Sequence, residues 1–474
     1  MKRREFLRNS TIGALGLGCL SPQLAQAYSD DRRAPIEPAK PAKNIIFMVS
    51  DGMSAGTLQM TDLLARRKYG RSSHWIRLYE EQRIRRALMD MRSADSLVTD
   101  SAAASSSWGG GVRVKNGRLN VGSDDQAYQP ILQKFKDLGK AVGCVTTVPI
   151  THATPAGFCI TDKSRSDQAK LAEKYLPLRF DVMLGGGLEY FTAEGRKDNI
   201  DLLAEFRQAG YGVAQTHAQL KKLQSSDSPI LGVFHKAGLP FALDHAQDEQ
   251  ALRNVPSLAD MTQFAIDRLK NQPEGFVIQV EGGKVDWAAH ANDAAALLYD
   301  QLAFDDAIGV ALEFAEQNND TLLILTTDHG NANPGIILQD KVNQKFERVF
   351  DFRQTNEWIL RGMHETPSSN ALVERVEHAL GFAIADDEAQ SLIKRFNALN
   401  NEEQKDNYKL PFEYFGTIVA KYTAIGWAGT NHSADYVELA MFGPGSEMLK
   451  PFLLNTELHN FMLQATSANA PLVK

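Results

Sequence analysis

The sequence predicts an α/β fold, a three-layer sandwich around a central, mostly parallel sheet. Four short apolar runs, at residues 45–49, 142–147, 276–280 and 322–327, have the composition of strands that are buried on both faces. Each run leads into a polar cluster at or soon after its carboxyl end. Because ligands bind beyond the carboxyl ends of the strands in such sheets, we expect these clusters to form one site.

Other elements follow from local signals along the chain. Strand 44–50 turns into a helix that ends near Leu64, and a second helix begins near Ser101. An alanine-rich helix follows His290, and the last predicted strand covers residues 437–442. Strands that alternate with helices in this way are typical of parallel sheets.

A helical insertion interrupts this pattern at about residues 335–422. Its composition is charged, and two apolar stripes at helical spacing indicate amphipathic helices. The stripes consist of Leu372, Val373, Val376 and Leu380, and of Leu392, Phe396 and Leu399. Asp386 is the predicted cap of the second helix. We therefore predict a single domain over residues 44–474, with this insertion packed on its core.

The first residues read as an export signal. Arg3-Arg4 precedes a short apolar run, and Ala25-Gln26-Ala27 suits signal-peptidase cleavage, so residues 1–27 are a predicted twin-arginine signal peptide. Cys19 stands in a loose match to a lipoprotein cleavage box, but cleavage after Ala27 is preferred. Residues 28–43 carry three prolines and form a predicted linker. The expected location is therefore periplasmic or secreted.

Charge excludes some classes of partner. The formal net charge is −7, and removal of residues 1–27 takes away four basic residues and one acidic residue, which makes it −10. This balance argues against a protein that binds nucleic acid or an anionic membrane. The sequence has no run of about 20 apolar residues, so no membrane span is predicted. An anionic small-molecule substrate would need local cations, which bound metal ions would supply.

Two cysteines remain beyond the signal, Cys144 and Cys159. Cys144 lies inside a predicted buried strand, which favours a core thiol over a disulfide. Twin-arginine substrates fold before export, in a reducing compartment, so they do not need a disulfide bridge.

Polar residues with chemical potential follow the strands. Asp51 follows the first strand, and Thr99-Asp100-Ser101 opens a helix whose N-terminus favours bound negative charge. Helix capping is the alternative for each of these positions. His152 and Thr154 lie in the loop after the second strand, and Arg165 follows in a polar stretch where a solvated surface role is the alternative.

The third and fourth strands lead into possible metal ligands. Glu281 ends one strand, and Asp286 and His290 are four residues apart, so on a helix they share one face and can bind one ion. A surface ion pair is the alternative. Asp328-His329 ends the next strand, where Gly330 lets the chain turn. Carboxylates with histidine suit zinc, and carboxylates with a hydroxyl suit magnesium.

As a set, these motifs resemble those of the alkaline phosphatases. The resemblance spans residue 44 to about residue 445, in order and with the spacing of the family. The matching motifs are Asp51-Gly52, Thr99-Asp100-Ser101-Ala102, His152-Ala153-Thr154-Pro155, Arg165, Glu281-Gly282 with Asp286 and His290, Asp328-His329, and His432 before the last strand.

The resemblance implies a role for each residue. It assigns Asp286, His290 and His432 to one zinc ion. Asp51, Asp328 and His329 would hold a second zinc ion together with Ser101, and Asp51, Thr154 and Glu281 a magnesium ion. Ser101 would attack the phosphoryl group to form a phosphoserine, and Arg165 would bind two phosphoryl oxygens. The resemblance also implies a homodimer and small phosphate monoesters as substrates.

Two positions depart from the enteric-type enzymes of the family, which carry Asp and Lys where this chain has His152 and Trp287. Trp287 supplies no cation to a bound phosphate, and His152 can reshape the third metal site. Both residues are candidate substrate-binding residues.

Three alternatives to a phosphomonoesterase stay open. Phosphodiesterases and other enzymes of phosphoryl or sulfuryl transfer share this fold. Arg165 favours a monoester, because it takes the room that the second substituent of a diester needs. A non-catalytic protein that binds metal or phosphate would lack the nucleophile or a ligand, and this chain lacks neither.

Overall fold

The computed structural model describes residues 40–366 and 368–466. The predicted signal peptide, and the linker up to residue 39, lie outside the described residues. The described end of the linker is held by the core, because the Ala42 N–H donates to the Ala465 carbonyl at 2.7 Å and the Lys43 N–H donates to Asp320 at 2.7 Å. The described residues cluster as one compact unit.

Fourteen strands lie within the described ranges. They are β1 (Asn44–Ser50), β2 (Arg85–Asp90), β3 (Ala141–Pro149), β4 (Val182–Gly186), β5 (Gly212–Ala214), β6 (Ile230–Val233), β7 (Phe276–Gly282), β8 (Thr321–Thr326), β9 (Gly330–Asn331), β10 (Gly335–Ile336), β11 (Ile425–Gly426), β12 (His432–Ser433), β13 (Tyr436–Phe442) and β14 (Phe452–Leu454).

Helices alternate with these strands along the chain. They are α1 (Ala55–Tyr69), α2 (His74–Glu80), α3 (Ser101–Gly109), α4 (Ile131–Asp137), α5 (Ala153–Cys159), α6 (Gln168–Tyr175), α7 (Leu202–Gln208), α8 (His217–Lys222), α9 (Ala242–Gln247), α10 (Glu249–Asn254), α11 (Leu258–Leu269), α12 (Lys284–His290), α13 (Ala294–Gln317), α14 (Val342–Glu347), α15 (Asn356–Arg361), α16 (Ser369–Leu380), α17 (Asp386–Asn397), α18 (Phe412–Thr423) and α19 (Glu457–Ala465). Among them, no helix is long and apolar enough to cross a bilayer.

Ten strands form the central sheet, in the order β14-β2-β13-β8-β1-β7-β3-β4-β6-β5. Pairing is parallel throughout except at β13, which runs antiparallel to both β8 and β2. The predicted mostly parallel sheet is therefore confirmed, and all four apolar runs are strands in its centre. β2, β5, β6 and β14 were not predicted, because β5, β6 and β14 are short and β2 begins with two exposed arginines.

The sheet separates two hydrophobic cores. In β1, Ile46 and Met48 face one core, whereas Ile45, Phe47 and Val49 face the other, and all five are fully buried. Helices cover each face, which completes the three layers. This two-sided burial explains why β1 reads as a continuous apolar run instead of an alternating one.

The helical insertion begins and ends at a two-residue ladder. Gly335 of β10 pairs with Gly426 of β11, so the chain leaves the core and returns at one point. Helices α14–α18 lie between these strands. The first predicted apolar stripe belongs to α16, and the second belongs to α17 except for Leu399, which lies beyond its end. The prediction that Asp386 caps α17 is wrong. Ala385 is the N-cap, and its N–H donates to Glu388 in the first turn at 3.0 Å.

Both cysteines beyond the signal peptide are buried free thiols, as the core interpretation predicts. Cys144 lies on β3, and Cys159 ends α5. Burial raises the pKa of Cys159 well above its usual value, which keeps this thiol protonated and unreactive.

Close contact between α3 and α5 depends on glycine, and this contact sets the distance between the predicted residues Ser101 and Thr154. A Cβ atom on Gly157 would collide with the side chain of Ser105, and one on Gly109 would collide with the Gly157 carbonyl. The backbones of the two helices therefore lie directly against each other.

We expect Gly157→Ala to lower the free energy of unfolding by about 1–3 kcal/mol, because overpacking forces the two helices apart. Urea unfolding followed by circular dichroism measures this change. Gly335→Ala is the matched control, since a Cβ atom there meets no atom within 4 Å. Equal stability of the two variants would contradict the close-packing argument.

Candidate metal centre and nucleophile

The register of the central sheet brings predicted site residues to one edge. In the sheet, Val49 of β1 lies opposite Glu281 of β7 on one side and opposite Thr326 of β8 on the other. The carboxyl ends of these three strands are therefore level. Asp51 follows the end of β1 directly, and Asp328 lies two residues beyond the end of β8.

Asp286, His290 and His432 form the first cluster. The Asp286 carboxylate oxygens lie 3.5 Å from His290 Nε2 and 3.5 Å from His432 Nε2, and the two Nε2 atoms are 3.1 Å apart. Helix α12 places Asp286 and His290 one turn apart. His432 arrives on β12, which pairs with β9 through His432 and Asn331.

Backbone carbonyls orient both imidazoles of the first cluster. His290 Nδ1 contacts the Thr430 carbonyl at 2.7 Å and His432 Nδ1 contacts the Thr99 carbonyl at 3.0 Å, so each Nδ1 carries the proton. Each Nε2 then presents its lone pair to Asp286. Ligand atoms bound tetrahedrally to zinc are about 3.3–3.4 Å apart. The spacing of the first cluster fits such an ion.

Asp51, Asp328 and His329 form the second cluster, which is fully buried. His329 Nε2 lies 3.5 Å from Asp51 Oδ1 and 3.3 Å from Asp328 Oδ2. The Gly52 N–H donates to Asp328 Oδ1 at 3.0 Å, which leaves Oδ2 without a donor. Asp51 Oδ1 and Asp328 Oδ2 are both buried without a hydrogen-bond partner. Buried carboxylate oxygens with no donor fit a bound cation.

Ser101 lies against the second cluster. Its Oγ is 3.3 Å from His329 Nε2, and the side chain is almost fully buried. Ser101 is the first residue of α3, and Asp100 is the N-cap, which accepts a hydrogen bond from the Ala103 N–H at 2.9 Å. The capping alternative therefore applies to Asp100, and the Ser101 hydroxyl stays available at the helix N-terminus.

Asp51, His152 and Glu281 form a third cluster. His152 Nδ1 lies 3.9 Å from Asp51 Oδ2 and 4.0 Å from Glu281 Oε1, and Thr154 Oγ1 donates to Asp51 Oδ2 at 3.3 Å. The Nδ1 and Oε1 atoms are buried without a hydrogen-bond partner. The two oxygens of Asp51 thus face two different clusters, and His152 adds a nitrogen to the predicted oxygen ligands.

Arg165 reaches the site from the loop after α5. Its Nη1 donates to Asp100 Oδ2 at 3.0 Å, and its Nη2 lies 3.2 Å from His152 Nε2. The guanidinium is thus held between the N-cap of α3 and the third cluster. This position excludes the solvated surface role that the sequence left open.

Trp287 lies beside the third cluster without joining it. Its ring centroid is 6.1 Å from that of His152, and the two rings meet edge to face. The ammonium of Lys284, one turn earlier, lies 4.6 Å from the Trp287 ring and 3.5 Å from the Phe241 ring. A lysine is therefore present in this region, and its ammonium lies against these two aromatic rings.

Burial and like charge shape the electrostatics of the clusters. Burial, followed by repulsion from Asp328, raises the pKa of Asp51 well above its usual value. Burial also raises the pKa of Glu281 to about 8 and that of Asp328 to about 6. Burial alone would raise the pKa of Asp286, but the facing imidazoles lower it to about 2. Raised carboxyl pKa values mark a site that needs added positive charge.

Two supporting residues were missed from the sequence. Asn331 Nδ2 donates to Asp286 Oδ1 at 2.6 Å, and Asn116 Oδ1 accepts from the Asp100 N–H at 3.1 Å. The first follows the Asp-His-Gly motif directly, which was a usable signal. Asn116 lies in a loop that carries no signal, because its role depends on the position of the loop in space.

Comparison with known proteins agrees with this geometry. The family model described as alkaline phosphatase matches residues 42–468. Alkaline phosphatase 4 of Bacillus subtilis (strain 168) is 30% identical over 479 residues, which cover 98% of this chain and 99% of the relative. Streptomycin-6-phosphate phosphatase of Streptomyces griseus is 32% identical over 387 residues, which cover 70% of this chain and 82% of the relative.

The fold is also similar to that of solved structures. The crystal structure of Thermus thermophilus alkaline phosphatase superposes with a TM-score of 0.83 at 32% sequence identity, covering 92% of this chain and 95% of that one. With the family model matched over nearly the whole described chain and the metal-ligand clusters at the carboxyl edge of the sheet, this chain belongs to the alkaline phosphatase family.

Proposed function

We propose that this protein hydrolyses phosphate monoesters to an alcohol and inorganic phosphate, through a phosphoserine at Ser101. One observation carries the proposal: the Ser101 hydroxyl stands at a helix N-terminus, 3.3 Å from His329 of the second cluster. Ser101 lies beside ligands for cations, and the guanidinium of Arg165 pairs with Asp100, the N-cap of the same helix. This arrangement suits in-line displacement at a phosphoryl group.

The residues present fit three cations. The first and second clusters, with Ser101 in the second, suit zinc. Asp51, Thr154 and Glu281 supply oxygen ligands that suit magnesium, whereas the nitrogen of His152 suits zinc. We propose that the third site takes magnesium when zinc is scarce and zinc when it is in excess. When bound, the cations lower the pKa of the Ser101 hydroxyl and balance the phosphoryl charge.

The residues of the chain perform distinct parts of the reaction. Ser101 Oγ attacks phosphorus, the bond from phosphorus to the ester oxygen breaks, and the alcohol leaves. Water then cleaves the phosphoserine and releases phosphate. Arg165 binds two phosphoryl oxygens with its planar fork, and the N-terminus of α3 favours the added negative charge. His290, whose side chain is 38% exposed, opens the first cluster to solvent, where the alcohol departs and water enters.

The alternatives are less well supported. Arg165 lies beside Asp100 and His152, where its guanidinium would compete for space with the second substituent of a diester. A non-catalytic relative would lack a ligand or the nucleophile, and this chain retains both. A relative named for streptomycin 6-phosphate, which is a monoester, also favours phosphomonoesterase activity.

We propose export to the periplasm or beyond on the basis of the predicted signal at residues 1–27.

We also propose a homodimer. An apolar face on the outer strands of the sheet supports it, where Leu88, Tyr436, Phe452 and Leu454 are each at least 38% exposed. The Tyr436 and Phe452 rings on this face are 5.3 Å apart, which makes the surface continuous.

Ser101→Ala should lower kcat/KM for an aryl phosphate monoester by at least about a thousandfold, because the nucleophile is lost. Steady-state kinetics with metal analysis of the same sample measure the loss. Ser107→Ala is the control, since Ser107 is buried on the same helix and donates only to the Ala104 carbonyl. Activity of Ser101→Ala at the parental rate would refute the assignment of the nucleophile.

Arg165→Ala should raise KM for a monoester about 10–100-fold, because charge-assisted hydrogen bonds to two phosphoryl oxygens are lost. Activity on a methyl aryl diester should fall much less, so the ratio of monoester to diester activity declines. Lys163→Ala is the control, since Lys163 is exposed and pairs with Asp125. An unchanged ratio would show that Arg165 does not select monoesters.

Metal affinity should increase with pH between pH 6 and pH 8. Cations bind the ionised carboxylates, and below its pKa of about 8 the metal-free Glu281 holds a proton that binding must displace. Each displaced proton changes the affinity about tenfold per pH unit. Competition with a zinc chelator measures this slope. Glu281→Gln should flatten the slope between pH 7 and pH 8, and an equal slope in both proteins would contradict the assignment.

A further inference from the structure

The two ring nitrogens of His152 face different partners, and these partners favour opposite positions of the ring proton. Nδ1 points to Asp51 and Glu281 of the third cluster, at 3.9 and 4.0 Å. Nε2 lies 3.2 Å from Arg165 Nη2. Every N–H group of the Arg165 guanidinium is a donor, so Nε2 accepts from it, and the ring is neutral with one proton. One nitrogen is therefore a donor and the other an acceptor.

Arginine has donors only, so the contact with Arg165 requires the lone pair on Nε2 and places the proton on Nδ1. That proton points toward two carboxylates, which is favourable as long as no cation lies between them. A cation bound by Nδ1 requires the lone pair on that nitrogen, which places the proton on Nε2. The Nε2 proton would then face an N–H of Arg165, and the two donors would repel each other.

We propose that His152 is a positioning residue that couples the third metal site to the phosphate-binding arginine. A cation on Nδ1 moves the ring proton to Nε2, with no change in ring charge, and releases Arg165 Nη2 from His152. Arg165 keeps Asp100 as its partner through Nη1 and gains a free donor for a phosphoryl oxygen. This inference rests on the proposed function, since it assumes that Arg165 binds the phosphoryl group.

Coupling of this kind is reciprocal. If a third cation raises the affinity for phosphate by a given factor, phosphate raises the affinity for the third cation by the same factor. Charge attraction alone also contributes to this factor, so the test needs a variant that keeps the attraction and removes the exchange. In His152→Asp, one carboxylate oxygen can bind the cation while the other still accepts from Arg165, whether or not the cation is present.

The experiment uses the full protein loaded with two zinc ions per chain, before and after a third equivalent of Zn²⁺. Calorimetric titration with inorganic phosphate gives the affinity without turnover. We expect the third equivalent to raise the affinity for phosphate about tenfold more in the wild type than in His152→Asp. Equal factors in the two proteins, with uptake of the third zinc verified in both, would overturn the proposal.

A second measurement does not depend on the variant. The chain has 11 histidines, so selective ¹⁵N-imidazole labelling gives a resolvable spectrum, in which His152→Asp identifies the His152 signals by their loss. We expect the His152 proton on Nδ1 with two zinc ions and on Nε2 with three. A proton on the same nitrogen in both states would overturn the proposal. Absence of esterase activity would refute the proposed function instead and leave this result unchanged.

Discussion

Buried negative charge is the constraint on which the rest of the structure depends. Asp51, Glu281, Asp286 and Asp328 gather at one edge of the sheet, and each is at most 4% exposed. Burying an uncompensated ion costs several kcal/mol, which is why carboxyl groups in this setting shift their pKa or bind cations. Arg165 pairs with Asp100 and does not balance these four charges. The folded chain is thus a frame that gathers negative charge at one edge of the sheet, where bound cations would be stabilised.

The frame holds its ligands with different degrees of rigidity. Asp51 follows β1 and Glu281 lies near the end of β7, so the hydrogen bonds between these two strands set their separation. His432 is far from them in sequence, and the short ladder between β12 and β9 brings it to Asp286. The position of Ser101 depends on helix packing, because α3 lies directly on α5 where Gly157 leaves room for Ser105. Strand register, a loop ladder and one close helix contact therefore define the site together.

Much of the fold was predictable from composition alone. The central strands read as continuous apolar runs because both of their faces are buried, and α13 was predictable because an alanine-rich run follows His290. Strand β2, next to the edge of the sheet, was not predictable, since it exposes one face and its arginines resemble a loop. The N-cap of α17 was predicted one residue too late, because aspartate is common both at the N-cap and in the first turn of a helix.

The sequence by itself determined which groups the protein can use: a hydroxyl at a helix start, carboxylates and imidazoles after buried strands, and an arginine. It determined them because secondary structure and burial impose a periodic pattern of apolar and polar residues on the sequence. Only the tertiary structure decided how they are shared. Asp51 divides its two oxygens between clusters, and His152 stands between the third cluster and Arg165. These contacts join residues far apart in the chain, and sheet order and loop closure set their geometry, which local sequence does not encode.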